Sequence, residues 1–77
     1  MPAFDRLMTF DSTHQALRSE KLLKGAGIAA DLIPIPRHLS AACGLALRLC
    51  STEESLWLTL LAEGAVVYGA IVNYERE

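Results

Sequence analysis

The chain has 77 residues, enough for a single domain spanning 1–77, and at this length only about 60% of the unfolded surface is buried on folding. Hydrophobic residues make up 52% of the chain and charged residues 21%, an apolar balance for so small a body, so part of the excess is expected to meet a partner chain. A net charge of −2 and a pI near 5.6 exclude the basic footprint of a nucleic-acid binder.

No membrane segment is expected either. Met1–Ala3 leads into Phe4-Asp5-Arg6 without the apolar run of a leader. The longest apolar stretches, Leu56–Ala62 and Ala65–Val72, fall far short of the roughly 20 residues a spanning helix needs. Two cysteines make neither a disulfide framework nor a zinc pattern, which points to free thiols in a reducing cytoplasm.

Arg6–Phe10 predicts a first strand, ending at the helix-capping cluster Asp11-Ser12-Thr13. Ser12 followed three residues later by Gln15 fits a capping box. Ala16, Ser19, Leu23 and Ala26 then form the buried face of a helix, with Glu20 and Lys24 as an exposed i,i+4 pair and Gly27 as the left-handed residue after its end. Ala30–Ile35 predicts a second strand; Pro34 and Pro36 remove ladder donors, so the strand belongs at a sheet edge. Arg37–Gly44 is a loop. Leu45–Cys50 is a third strand with leucine at every second position.

Ser51-Thr52-Glu53-Glu54 reads as a second capping box, opening a helix that runs to Ala62 or Glu63 and stops at Gly64. Apolar residues surround much of this helix, as a wide core-facing stripe or an added subunit contact, with Trp57 in the core or an interface. Val66–Tyr74 is a last strand, apolar on both faces; one face meets the helices, and the other, with Tyr68 and Tyr74, is open to another protomer. The order β-α-β-β-α-β specifies an α+β, ferredoxin-like sandwich: a four-stranded antiparallel sheet, strands one and three central, two helices on one face.

That topology gathers chemistry at one sheet end. The loop after strand two is set beside the start of helix one, bringing Arg37, His38, Ser40, Cys43 and Gly44 toward Asp11, Ser12, Thr13 and His14. Backbone N–H groups, a helix dipole and the charge of Arg37 each favour thiolate over thiol. A fall from about 8.5 to about 7 in the pKa of Cys43 would leave half of it nucleophilic at neutral pH. His14 or His38 would exchange the proton, Asp11 would oppose the thiolate, and Gly44 would open the backbone beside the sulfur.

Each residue also has a plainer role. A free cysteine packs well as a small hydrophobe, and Cys50, ending a regular strand, is read that way. Seven residues of mostly extended chain, about 20 Å or more, separate the two thiols, too far to pair within one subunit. Ser12, Thr13 and His14 serve as helix-capping residues, Arg37 as a solvated loop charge and Ser40 as a turn former. His14, His38, Cys43 and Asp11 match no zinc spacing, and neither metal nor cofactor is expected.

At these residues the sequence resembles the small bacterial family described as putative Se/S carrier protein-like. One block runs Phe10-Asp11-Ser12-Thr13-His14-Gln15-Ala16 and on through Glu20-Lys21-Leu22-Leu23-Lys24. The more specific block runs from Ile33 to Arg48 around Pro36-Arg37, Ser40 and Cys43-Gly44, with His38 and Ala41-Ala42 as departures in its variable part. The resemblance implies a carrier, not a stand-alone enzyme, that holds sulfur or selenium on Cys43 as a persulfide or selenopersulfide. Its partners would be a protein donor and a protein acceptor, with a homodimer through helix 52–63 or the sheet face as a further expectation. Two other classes stay open: a non-catalytic dimerising or regulatory module with a structural Cys43, and a redox sensor joined by an intersubunit disulfide.

Overall fold

The computed structural model describes residues 3–36, 39 and 44–74, and runs β1 (Arg6–Thr9), α1 (Thr13–Gly25), β2 (Ala30–Pro34), β3 (Leu45–Leu49), a 3-10 turn (Ser51–Glu53), α2 (Glu54–Glu63) and β4 (Ile71–Asn73). The strands form one antiparallel sheet in the order β2-β3-β1-β4. Strands one and three are central and the proline-bearing β2 lies at an edge, as the βαββαβ reading requires.

Period-two alternation fixes which residues face the helices. Met8 pairs with Leu47 and Ile71, and Leu49 pairs with Ala30, so these side chains share one face. They close on Ala16 and Leu23 of α1 and on Trp57 and Leu61 of α2, the largest part of a single core. Trp57 is fully buried and its indole N–H donates to the Cys50 carbonyl at 2.9 Å.

The opposite face is already covered within one chain. At its centre Leu7 and Ala46 are 1% and 0% exposed. Arg48 lies across it, its guanidinium carbon 4.5 Å from the Phe4 ring centroid and 6.0 Å from that of Tyr74, with Asp31 of β2 as its ion-pair partner. The chain itself thus covers Leu7 and Ala46, while Val67 and Tyr68 on the approach to β4 stay exposed.

Both helices end in the same way. At α1 the Gly27 N–H donates to Lys24 and the Ile28 N–H to Leu23, both at 3.0 Å, a Schellman motif with Gly27 at φ +78°. At α2 the Ala65 N–H reaches Ala62 and the Val66 N–H reaches Leu61. Here the left-handed residue is Ala65, at φ +53°, and not the glycine before it. Gly64 answers a different demand: a Cβ on it would lie 2.8 Å from the Leu22 Cδ2.

Four expectations are corrected. The last strand is only Ile71–Asn73, because Ala65–Val66 belong to the helix terminus and Gly69 sits against Thr9, where a Cβ would come within 2.8 Å of its Oγ1. The first strand's ladder stops at Thr9, with Phe10 buried in the core instead. Ala26 caps α1 and is exposed. Ser51 makes no cap; its hydroxyl is taken by Asp5, and a 3-10 turn precedes α2. The apolar girth of α2 resolves as a wide core stripe: Trp57 and Leu61 are buried and Leu58 and Leu60 pack beside them, while Leu56 is 57% exposed.

Candidate functional site

Of the residues singled out around the β2–β3 loop, Arg37, His38, Ser40 and Cys43 lie outside the described residues. Beyond the Pro34–Leu45 pair, the Ile35 N–H donates to the Gly44 carbonyl at 2.9 Å, closing the neck of the loop, and the Leu39 N–H donates to the Pro36 carbonyl. Gly44 adopts φ +73°, a left-handed conformation that other residues rarely take. Among the described residues a Cβ there would meet nothing within 4 Å; the glycine serves the backbone turn into β3.

The register sets this neck at the end of the sheet where α1 begins. Thr9 pairs with Ala46, so Gly44 falls beyond the last rung on the same side as Phe10–Ser12. Ser12 is the N-cap of α1, in extended conformation, its Oγ accepting from the Gln15 N–H at 3.3 Å. The return half of the box is replaced: the Gln15 Oε1 accepts from the Val67 N–H, tying the segment after α2 to the same corner. Thr13 and His14 are exposed in the first turn, where amide N–H groups have no partner within the helix. This end thus collects the start of α1, the neck of the loop and the Val67–Ala70 approach to β4, whose Gly69 and Ala70 hydrogen-bond to Thr9. Among the described residues, no three His, Cys, Asp or Glu side chains group to hold a metal ion.

Cys50, the other thiol, sits at the opposite end of β3, free and 6% exposed. Burial pushes its pKa up, and the negative charges of Glu53 and Asp5 push it further, against a smaller opposing hydrogen bond from the Ala3 backbone. A thiol kept protonated and out of solvent is a poor nucleophile. This matches its reading as a packing residue.

Arg18 and Lys21 escaped the sequence reading. They are exposed α1 residues on one wall of a groove between the helices. Their signal was available: neither has an acidic residue three or four positions away, whereas Lys24 has Glu20.

Compared with known proteins, residues 5–73 match the family model described as "Putative Se/S carrier protein-like". No curated protein and no solved structure matches the chain. No described helix is long and apolar enough to cross a membrane.

Proposed function

We propose that this chain, which belongs to the Putative Se/S carrier protein-like family, carries a sulfur or selenium atom on the thiol of Cys43 and relays it between protein partners. The observation that carries the reading is the state of the other thiol. Cys50 is buried and held in its protonated form, so covalent chemistry falls to Cys43.

The transfer needs no external oxidant. The Cys43 thiolate attacks the terminal sulfur of a donor persulfide; the new S–S bond forms as the donor's own S–S bond breaks, and the electron pair and proton leave with the donor thiol. An acceptor thiolate then takes the terminal atom in the same way and releases Cys43 as thiolate. Selenium follows the same route through a selenopersulfide. Support for the thiolate would come from Arg37, from the first-turn N–H groups of Thr13 and His14 beside the Ser12 cap, from Ser40, and from the open backbone at Gly44. A reducing cytoplasm suits a thiol that works alone.

The test is intact-protein mass spectrometry after incubation with a persulfide donor. Wild type should gain one sulfur atom, localised to Cys43 and removable by a thiol acceptor, and Cys43→Ser should gain none. A wild-type mass that does not change overturns the relay; a covalent dimer through Cys43 under peroxide would assign the residue to redox sensing instead.

A further inference from the structure

The groove between α1 and the end of α2 has a volume of about 650 Å³. Its α1 wall is the stripe Arg18, Lys21, Leu22 and Gly25, spaced i, i+3, i+4 and i+7 on one helical face. Leu60 and Val66 complete an apolar floor with Leu22. The Arg18 guanidinium closes one end, donating to the Gly64 carbonyl at 2.7 Å and to the Gln15 Oε1 at 3.4 Å.

Charge says what fits. Among the described basic side chains, Arg6, Lys24 and Arg48 each have a carboxylate partner. Arg18 and Lys21 have none, although the chain carries an acidic excess, and both line this groove. Exposed Glu63, next to Gly64, forms no ion pair with either. Two cations without a carboxylate partner above an aliphatic floor are complementary to carboxylates beside aliphatic side chains, with Lys21 free of the hydrogen bonds that engage Arg18. The wall from Arg18 to Gly25 spans about 10 Å, nearly two helical turns, which accommodates anchors at i and i+4.

We infer that this groove docks an acidic amphipathic helix of a protein partner, its aliphatic side chains on Leu22, Leu60 and Val66 and its carboxylates on Lys21 and Arg18. Two substitutions probe it without touching the core. Lys21→Glu reverses the exposed charge. Gly25→Phe fills the groove from a position where a Cβ meets nothing within 4 Å.

The probe is a display library of random 14-residue peptides selected on the immobilised full chain, with enriched peptides measured by fluorescence polarisation. Enrichment of leucine or isoleucine at i,i+4 flanked by Glu or Asp is expected. Those peptides should bind Lys21→Glu and Gly25→Phe at least tenfold more weakly, with circular dichroism of both variants unchanged. Selection on Lys21→Glu should favour basic flanks around the same anchors. No enrichment, enrichment without acidic flanks, or peptides that bind Gly25→Phe as well as wild type overturns the proposal. So does binding of decanoate in the groove without peptide enrichment, which would assign it to a free amphiphile.

Discussion

Ser51 holds both oxygens of the Asp5 carboxylate, its N–H donating to Oδ1 at 2.7 Å and its hydroxyl to Oδ2 at 2.6 Å across 46 positions of sequence. The pair fastens the chain just before β1 to the junction between β3 and α2. Ser51 does not cap α2 because it lies inside the 3-10 turn that precedes the helix, and the amide that a capping box would use is committed to the Asp5 carboxylate, which accepts more strongly than a neutral oxygen.

The Ser51 hydrogen bonds, first from its side chain and then from its backbone, with a smaller contribution from the Arg6 charge, hold the Asp5 carboxyl below the ordinary value of 3.8. A carboxyl whose folded pKa is depressed adds stability that is complete above its unfolded pKa and is lost as pH falls through the folded one. The melting temperature should therefore fall on acidification below about pH 4. Asp5→Asn should lower the melting temperature at pH 7 and remove its share of that acid slope, because the amide cannot accept both Ser51 donors. An unchanged slope would show that Asp5 is not its source.

Ala65 and Gly64 hold conformations that their identities would suggest exchanging. Ala65 at φ +53° carries the strain that glycine avoids, so Ala65→Gly should stabilise the fold by up to about 1 kcal/mol. Gly64→Ala should destabilise it, by about 1–3 kcal/mol, as the new Cβ drives into Leu22 Cδ2 and presses on the Leu60 carbonyl oxygen. Chemical denaturation of the two variants gives opposite signs. A shared sign would refute the assignment of close packing to Gly64 and dihedral strain to Ala65.

The element order, the edge position of β2 and the alternating leucines of β3 were legible because each rests on a local signal: a capping residue, a proline, a period of two. The Gly27 terminus was legible for the same reason. The use of Ser51 was not, since its partner lies 46 residues away and a local capping pattern competes for the same side chain. Val66–Tyr74 looked like one strand because its residues are β-formers, yet Val66 completes a helix terminus and Gly69 meets the Thr9 backbone, both tertiary demands. At the candidate site Ser12 was legible as a cap from its spacing to Gln15; the lack of acidic neighbours for Arg18 and Lys21 was legible too, but the groove they line exists only once α1 packs on α2.

Arg48 acts as a cover for the second sheet face. Its side chain is 20% exposed, stacked against Phe4 and near Tyr74, with its Nε buried and without a hydrogen-bond partner. Arg48→Ala should cost about 2 kcal/mol, combining lost cation–π attraction with uncovering of Leu7 and Ala46. Arg48→Met, which keeps the aliphatic stem and removes the unpaired Nε, should cost less. Equal losses in urea denaturation would place the stabilisation in the charge and not in the cover.

Cys50 supplies the internal reference for thiol reactivity. With its pKa pushed up by burial and by Glu53 and Asp5, it stays protonated at neutral pH. The linkage has the opposite sense to that of Asp5: the stability is complete below the unfolded thiol pKa and is lost as pH rises through the folded one, so it erodes from about pH 9 upward. In the native protein at pH 8, iodoacetamide should modify Cys50 only at the rate of unfolding, and Cys50 should become as reactive as an ordinary thiol in denaturant. Cys50→Ala should cost about 1 kcal/mol and Cys50→Ser more, because the hydroxyl is desolvated in an apolar site. Peptide mapping of the alkylated native chain separates the two thiols. Rapid labelling of Cys50 would contradict its burial and would remove the argument that assigns the covalent chemistry to Cys43.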